Sequence, residues 1–466
     1  MTYDVAIVGA GVVGTAVARE LAEYDIAVVV LEGGDDVGTV TSKANTAILH
    51  TGFDAKPGSL EARLVRRGHA RLLEHGPRLG IPIERTGALL VAWTPDELAA
   101  LAPIAAKAAE NGYLATRPVS ATAVYEMEPA LGPGAQGGLA VPDEHIVCPF
   151  TTPLAFATEA VVNGVTLRLA TRVTAVRRLG DEHVLDTTSG AVRAHWVVNA
   201  AGLHSDTVDR LFGHDRLTIT PRRGELIVFD KLARGLLVRT LLPVPTATTK
   251  GVLVAPTVLG NVVLGPTAED VPDRSATATT AHGLATLLDT GRRILPGLLD
   301  EEVTATYTGL RAATEHGDYQ LFVHPDERYV CVGGIRSTGL TASMAIAEHI
   351  VDSLRDGGLN LLRRNDFRTI TMPNLGEAFG RPYADQALVA ADSDYGCIVC
   401  HCERTTRGEI LAACRAPIPA RSLDGLRRRT RAGFGRCQGF YCVADVVRLL
   451  AVASGRTPEA ILGVPE

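Results

Sequence analysis

The sequence has no apolar run approaching the roughly 18 residues that a membrane helix needs, which argues against a helical span. It has no basic leader ending in a small-residue cleavage site. The opening MTYDVAIVGAGVVG runs directly into a glycine motif and reads as a strand, not a signal peptide. It has no excess of positive charge: a formal net charge of −6 argues against a nucleic-acid-binding surface, while leaving room for a local basic patch. Internal repeats and low-complexity tracts are absent. What is left is a chain of 466 residues, 46% hydrophobic and 21% charged, the balance of a soluble globular protein. A cytoplasmic location is the expectation. The length exceeds one ordinary core, so two or three domains are expected.

Cysteine is scarce over most of the chain. Only Cys148 and Cys331 fall in the first 396 residues, whereas Cys397, Cys400, Cys402, Cys414, Cys437 and Cys442 crowd the tail. In a reducing compartment these are thiols or metal ligands. Their uneven placement marks a separate metal-binding module.

The chain opens as strand (4–8), glycine turn, helix (about 14–24) and strand (27–32), a βαβ start. Ala/Leu/Arg-rich stretches at 68–79 and 95–111 predict helices. Short β-branched runs at 88–93, 225–230, 251–256 and 261–265 alternate with Pro/Gly turns and suit a mostly antiparallel sheet. Parallel-type signals return at 196–201 and 329–334, each followed by a helical segment. The nucleotide domain is therefore expected to be discontinuous: 1–85, 146–210 and 321–365, with a second domain at 86–145 and 211–320. A Pro/Gly-containing linker is expected over 366–390 and the cysteine module over 391–466.

Gly9, Gly11 and Gly14 form G-x-G-x-x-G where an apolar strand meets a helix. The first glycine permits a tight turn, the second lets backbone approach a pyrophosphate, and the third lets helix pack on strand. Glu32 ends the second strand, eighteen residues past Gly14, where an acid binds a ribose hydroxyl pair. A dinucleotide is the expected ligand. Later segments select between FAD and NAD. Residues 197–202, VVNAAG, with Ala201 and Gly202, resemble the element with which FAD oxidoreductases of the D-amino-acid-oxidase superfamily close around their cofactor. Residues 333–343, containing Gly334, Arg336, Gly339, Leu340 and Thr341, resemble that superfamily's carboxy-terminal flavin motif. There a helix start can set N–H dipoles against the flavin pyrimidine. The resemblance implies further FAD contacts at Val13, Asn45, Thr46 and Val173.

Cys400-x-Cys402 is followed, after a further 35 positions, by Cys437-x4-Cys442. Four thiolates in two close pairs can bind zinc or an iron–sulfur cluster. The spacing, with the preceding RRRTRAGFGR, resembles the bacterioferritin-associated-ferredoxin-like [2Fe–2S] module. Basic side chains and loop N–H groups in that run are expected to offset cluster charge. Cys397 to His401 also satisfies the C-x-x-C-H pattern of haem attachment, which needs export. Cys397 and Cys414 are read as spare thiols and His401 as a neighbour of the cluster, not a ligand.

With these motifs placed, the chain resembles, along nearly its whole length, the large subunit of anaerobic glycerol-3-phosphate dehydrogenases. Residues 42–60, SKANTAILHTGFDAKPGSL, are similar to L-2-hydroxyglutarate oxidases. The resemblance implies an α/β architecture: a discontinuous Rossmann-type FAD domain, an α+β substrate domain on an antiparallel sheet, and a small helical [2Fe–2S] module. It also implies oxidation of a small anionic secondary alcohol, a polyol phosphate or a 2-hydroxy acid, by hydride transfer to flavin. Electrons would then pass through the cluster to a partner subunit or quinone-linked carrier, an arrangement compatible with peripheral membrane association. Asp54 stands where the glycerol-3-phosphate enzymes tend to carry a phosphate-binding arginine; Arg311, Arg336 and Lys250 are the alternative anion-binding candidates. His50 is the candidate base, with His316 second. Two alternatives stay open: an amine or amino-acid dehydrogenase of opine or proline type, and an electron-transfer subunit without its own substrate.

Overall fold

The computed structural model describes residues 2–245 and 251–463. The first strand, Thr2–Val8, pairs in parallel with Val28–Leu31 on one side and Val192–Asn199 on the other. Thr166–Arg168 extends this sheet beyond Val28–Leu31, and Tyr329–Gly333 joins Val192–Asn199, both in parallel. Antiparallel strands Val173–Leu179, Glu182–Thr187 and Gln320–His324 complete eight. Both faces are covered, which is why these strands read as unbroken apolar runs. Val5, Ile7, Val28 and Val30 face a core shared with helices Val12–Leu21, Thr151–Val162 and Gly339–Asp356. Ala6, Val8, Val29 and Leu31 face a second core on the opposite side.

The second sheet has nine strands. Next to its edge strand Val303–Ala313, Thr220–Phe229 runs antiparallel to that strand and, on its other side, to Val262–Gly265 and Glu269–Asp270. The apolar run at 225–230 is thus the carboxy-terminal half of a longer strand. One pair departs from the antiparallel pattern: Thr240–Pro243 runs parallel to Ala88–Ala92.

The helix expected over 68–79 is Leu60–His75 instead. The KPGS run looks like loop, but Ser59 Oγ accepts the Ala62 N–H and caps the helix at its true start. Gly68, read from sequence as a helix start, is a close-approach residue within it. A Cβ there would stand 2.2 Å from the Thr341 carbonyl of helix Gly339–Asp356. The two helices meet at the flavin motif for that reason.

Residues 359–381 carry no helix or extended strand, yet they are tied down, for example through Met372 N–H to the Leu79 carbonyl at 2.9 Å. The tail module then builds its own small core. Ile410, Leu426, Val446, Leu450 and Ile461, from helices Arg407–Arg415, Leu423–Thr430, Val443–Ser454 and Pro458–Leu462, pack around Cys400 and Cys442. Among the described residues no helix is long and apolar enough to cross a membrane.

Candidate flavin and cluster sites

The glycine turn lies at the carboxyl ends of the parallel strands, where open α/β sheets bind ligands. Gly9 has a positive φ of 105°, and a Cβ on it would stand 2.6 Å from the Ala200 carbonyl oxygen. On Gly14 a Cβ would meet the Gly9 carbonyl oxygen at 2.0 Å. Neither position admits another residue without the backbone moving. Glu32 accepts the Ala10 N–H on one carboxylate oxygen and the Gly34 N–H on the other, each at 2.7 Å. Each oxygen keeps acceptor capacity for a ribose hydroxyl. Thr171 N–H donates to the Glu32 carbonyl at 2.7 Å, which brings the segment leading to Val173 beside the acid. Ala200 N–H donates to the Val8 carbonyl at 2.9 Å, placing Ala201 and Gly202 against the turn. Helix Val12–Leu21, with Val13 in its first turn, starts at Gly11 without a side-chain cap. Helix Gly339–Asp356 likewise starts at Thr338 without one. Ser42 Oγ accepts the Val12 N–H at 2.9 Å, and the N–H groups left free at the two helix starts suit a pyrophosphate and an electron-rich ring.

Asn45 organises its own loop. Its Nδ2 donates to the Ser42 carbonyl at 2.8 Å, its Oδ1 accepts the Ala47 N–H at 2.8 Å, and Thr46 stays half-buried beside it. The second sheet presses on this loop. Tyr307 donates its hydroxyl to the Asn45 carbonyl at 2.7 Å, and a Cβ on Gly309 would stand 2.0 Å from the Ala44 carbonyl oxygen. Residues 307, 309 and 311 share one face of their strand, so Arg311 is on the face turned to the loop. The Arg311 guanidinium donates to the Thr267 carbonyl at 3.3 Å and has no carboxylate partner among the described residues. It keeps some surface in contact with solvent, yet protein packs closely round it. Burial, then the neighbouring Arg222, pushes it down to about 10, so it is a cation at neutral pH.

His50 follows the short strand Ile48–Leu49. Its N–H donates to Thr341 Oγ at 3.0 Å, which ties it to the flavin-motif helix. Its Nδ1 lies 3.2 Å from Glu144 Oε2, in a contact too bent for a good hydrogen bond. The other oxygen of this fully buried carboxylate accepts both the N–H and the hydroxyl of Thr51, at 2.8 and 2.9 Å. Glu144 has no sequence signal: it is far from His50 in the chain and belongs to no motif. Arg336 stands 3.3 Å from Glu61, which also accepts the Thr338 hydroxyl at 2.9 Å, so this arginine is already paired. His316 is exposed, with Nε2 3.0 Å from the Arg216 carbonyl. Lys250 lies outside the described residues.

The four tail cysteines converge. Cys402 contacts Cys437, and Cys442 contacts Cys400. No three of the four sulfurs lie within 4.8 Å of one another. A single tetrahedral ion would gather all four; two spread pairs of thiols and no histidine fit a two-iron cluster. Gly433 N–H points at Cys400 Sγ from 3.5 Å. N–H groups of Tyr441, then Gly439 and Phe440, lower the Cys437 thiol, while burial pushes Cys442 up to about 12 and also raises Cys402. Cys397 neighbours Arg407 and Cys414 neighbours Arg429, neither within the group of four.

The arginine run departs from expectation. It does not ring the cluster as free charge. Arg428 and Arg429 grip Asp36 with three contacts of 2.6 to 2.7 Å, across almost four hundred residues of chain. Burial alone would raise Asp36, but Arg429 and Arg428 hold it below the usual carboxylate range. Arg431, one of the largest fully buried side chains, pairs with Glu403 and Glu377 and donates to the Leu259 and Leu375 carbonyls. Arg436 reaches Asp230 at 2.8 Å. A buried guanidinium needs a carboxylate, and three of the partners, Asp36, Asp230 and Glu377, lie outside the cysteine module. Arg427 lies against the ligand loop, beside Gly433 and Gly439.

A dinucleotide fold with an uncapped flavin-motif helix, joined to a four-thiol module, defines an FAD-dependent iron–sulfur oxidoreductase. Residues 4–353 match the FAD dependent oxidoreductase family, to which this chain belongs, and residues 398–452 match the BFD-like [2Fe-2S] binding domain. The chain is 35% identical over 452 residues to the glycerol 3-phosphate dehydrogenase of Caloramator mitchellensis, covering 96% of this chain and 94% of the relative. It is 25% identical over 487 residues to one subunit of the anaerobic glycerol-3-phosphate dehydrogenase of Escherichia coli, covering 96% and 88%. Its fold is similar to the FAD-bound L-alpha-glycerophosphate oxidase of Mycoplasma pneumoniae, with a TM-score of 0.75, 28% identity and coverage of 80% and 99%. The cofactors are FAD and a [2Fe–2S] cluster.

Proposed function

We propose that this enzyme oxidises a glycerol-3-phosphate-type secondary alcohol to the ketone and passes the electrons through its cluster to an acceptor. Arg311 carries this reading: a closely packed cation without a carboxylate partner among the described residues, on the strand face against the flavin loop, calls for an anionic ligand. When bound, FAD supplies the two-electron acceptor and the cluster a one-electron outlet. His50 takes the hydroxyl proton at the nitrogen not facing Glu144, and Glu144 holds the ring and balances the charge it gains. Arg311 holds the phosphate. The relatives named for glycerol 3-phosphate support this substrate class. Their likeness extends through the cluster module, which supports transfer to a partner. Anaerobic titration of the flavin absorbance with glycerol 3-phosphate, 2-hydroxy acids and amino acids tests the reading. Bleaching by glycerol 3-phosphate is expected; bleaching by an amino acid and by no hydroxylated anion refutes it.

A further inference from the structure

The amino end of strand Tyr329–Gly333 is the end away from the flavin motif. Three side chains meet there: His214 in the loop after helix Ser205–Leu211, His324 closing strand Gln320–His324, and Glu327 in the turn between the two strands. One ligand atom from each lies within 4.8 Å of the other two, the one such group of three among the described residues. His214 Nε2 stands 2.9 Å from Glu327 Oε2. The imidazoles of His214 and His324 stack at 4.0 Å between centroids, and Tyr329 stacks beside both at 5.7 and 5.8 Å. Stacking accounts for the ring faces but not for the nitrogens. His324 Nε2 is out of contact with water and has no hydrogen-bond partner among the described residues. A buried nitrogen left so calls for a partner.

Burial, then His214 and Arg216, hold the His324 ring below the ordinary imidazole range, so it is neutral at pH 7 and one nitrogen keeps a lone pair. Arg216 lies over the Phe322 ring, and the buried Asp209, which accepts the Tyr329 hydroxyl at 2.8 Å, offsets its charge. The Glu327 backbone is fixed: its carbonyl accepts from His183 Nε2 at 2.7 Å and from Arg178 at 3.0 Å. Two imidazoles and a carboxylate are the ligand set of zinc and its neighbours, whereas calcium and magnesium take oxygens. The Glu327 side chain is 45% exposed, which leaves an entry path and room for water as a further ligand. The two rings lie 16° from parallel, and ligands of one ion must point their edges at it. At least one ring therefore turns about its Cβ–Cγ bond on binding, a broad torsion in histidine. We propose that His214, His324 and Glu327 bind one divalent transition ion of the zinc class. The ion takes the place of the proton between His214 and Glu327 and gives His324 its partner. It clasps the loop after helix Ser205–Leu211, which follows Ala201 and Gly202, to the turn that leads into the flavin-motif strand. With three protein ligands and water, it stabilises the fold reversibly and takes no part in the oxidation.

The test uses the full-length protein loaded with FAD and cluster, and Zn²⁺ alone as the probe. Binding is read by equilibrium dialysis with metal analysis and by thermal unfolding. About one Zn²⁺ per chain is expected beyond the cluster iron, with the cluster absorbance unchanged and unfolding raised by a few degrees at saturation. Ca²⁺ and Mg²⁺ are expected to do neither. His324→Phe keeps a ring in the stack but removes the nitrogens, and Glu327→Gln alters a half-exposed side chain. Each is expected to lower Zn²⁺ affinity by about 10–100-fold or more and to remove the thermal shift, while its flavin and cluster absorbance stay those of the parent. The proposal is overturned if the parent takes up no zinc, or if both variants bind it as tightly as the parent. It is also overturned if zinc enters only as cluster iron leaves, which would place it on the cysteines.

Discussion

The flavin cleft and the seam under the cluster module are built by opposite means. The cleft is made mostly of backbone: two glycines that admit no side chain, two helix starts whose own N-cap residues make no side-chain cap, and a carboxylate held by N–H groups. The seam is made of side-chain charge: Asp36 in the grip of Arg428 and Arg429, and Arg431 sunk between Glu403 and Glu377. A backbone site tolerates change in most side chains but in few glycines. A seam of buried ions tolerates loss of neither partner, because the one left behind is an unpaired charge away from water.

Asp36→Ala should break this contrast most severely. It strands the buried Arg429 guanidinium and leaves Arg428 with Asp424 alone, at a cost of about 3–5 kcal/mol. In thermal unfolding the cluster absorbance should then be lost well before the flavin is released; coincident loss of both would show that the seam is not charge-held. The same pairing sets a pH limit. Asp36 titrates lower in the folded protein than when unfolded, so its stabilisation is full above the ordinary carboxylate pKa near 3.8 and fades as pH falls through the lower, folded value. Docking should therefore be acid-labile only below about pH 4.

Next in size is His50→Ala, expected to slow flavin reduction by about 10²–10⁴-fold, the usual contribution of a positioned base. Glu144→Gln should cause a smaller fall. Stopped-flow bleaching measures both, and unchanged rates would remove His50 from the chemistry. Arg311→Ala should weaken binding of an anionic substrate by about 1.5–3 kcal/mol, the value of a charged hydrogen bond. Titration of flavin bleaching reads this as a raised half-saturation concentration, with uncharged alcohols unaffected. Smallest is Thr341→Val, which removes the acceptor for the partly buried His50 N–H and should cost about 1 kcal/mol of stability by thermal denaturation.

The same contrast explains what the sequence disclosed. Gly9, Gly11, Gly14 and Glu32 lie within one βαβ unit, where spacing along the chain is spacing in space. Cys400, Cys402, Cys437 and Cys442 were legible for the same reason. Glu144, Glu61 and Asp36 were not: each acts on a residue brought near only by the fold, and a carboxylate in a run such as GGDD or PDEH has no local mark of its partner. The arginine run was visible, but its direction was not, because composition cannot say which side of a helix meets the body. The helix at Leu60–His75 was misplaced because Ser59, inside a Pro/Gly run, is a cap rather than part of a turn.

Anaerobic addition of glycerol 3-phosphate to the FAD- and cluster-loaded protein, followed by flavin absorbance and by paramagnetic resonance of the cluster, tests the central claim most directly. The account predicts flavin bleaching together with the signal of a reduced [2Fe–2S] centre. A flavin that stays oxidised with every hydroxylated anion, or one that bleaches while the cluster never accepts an electron, would contradict it.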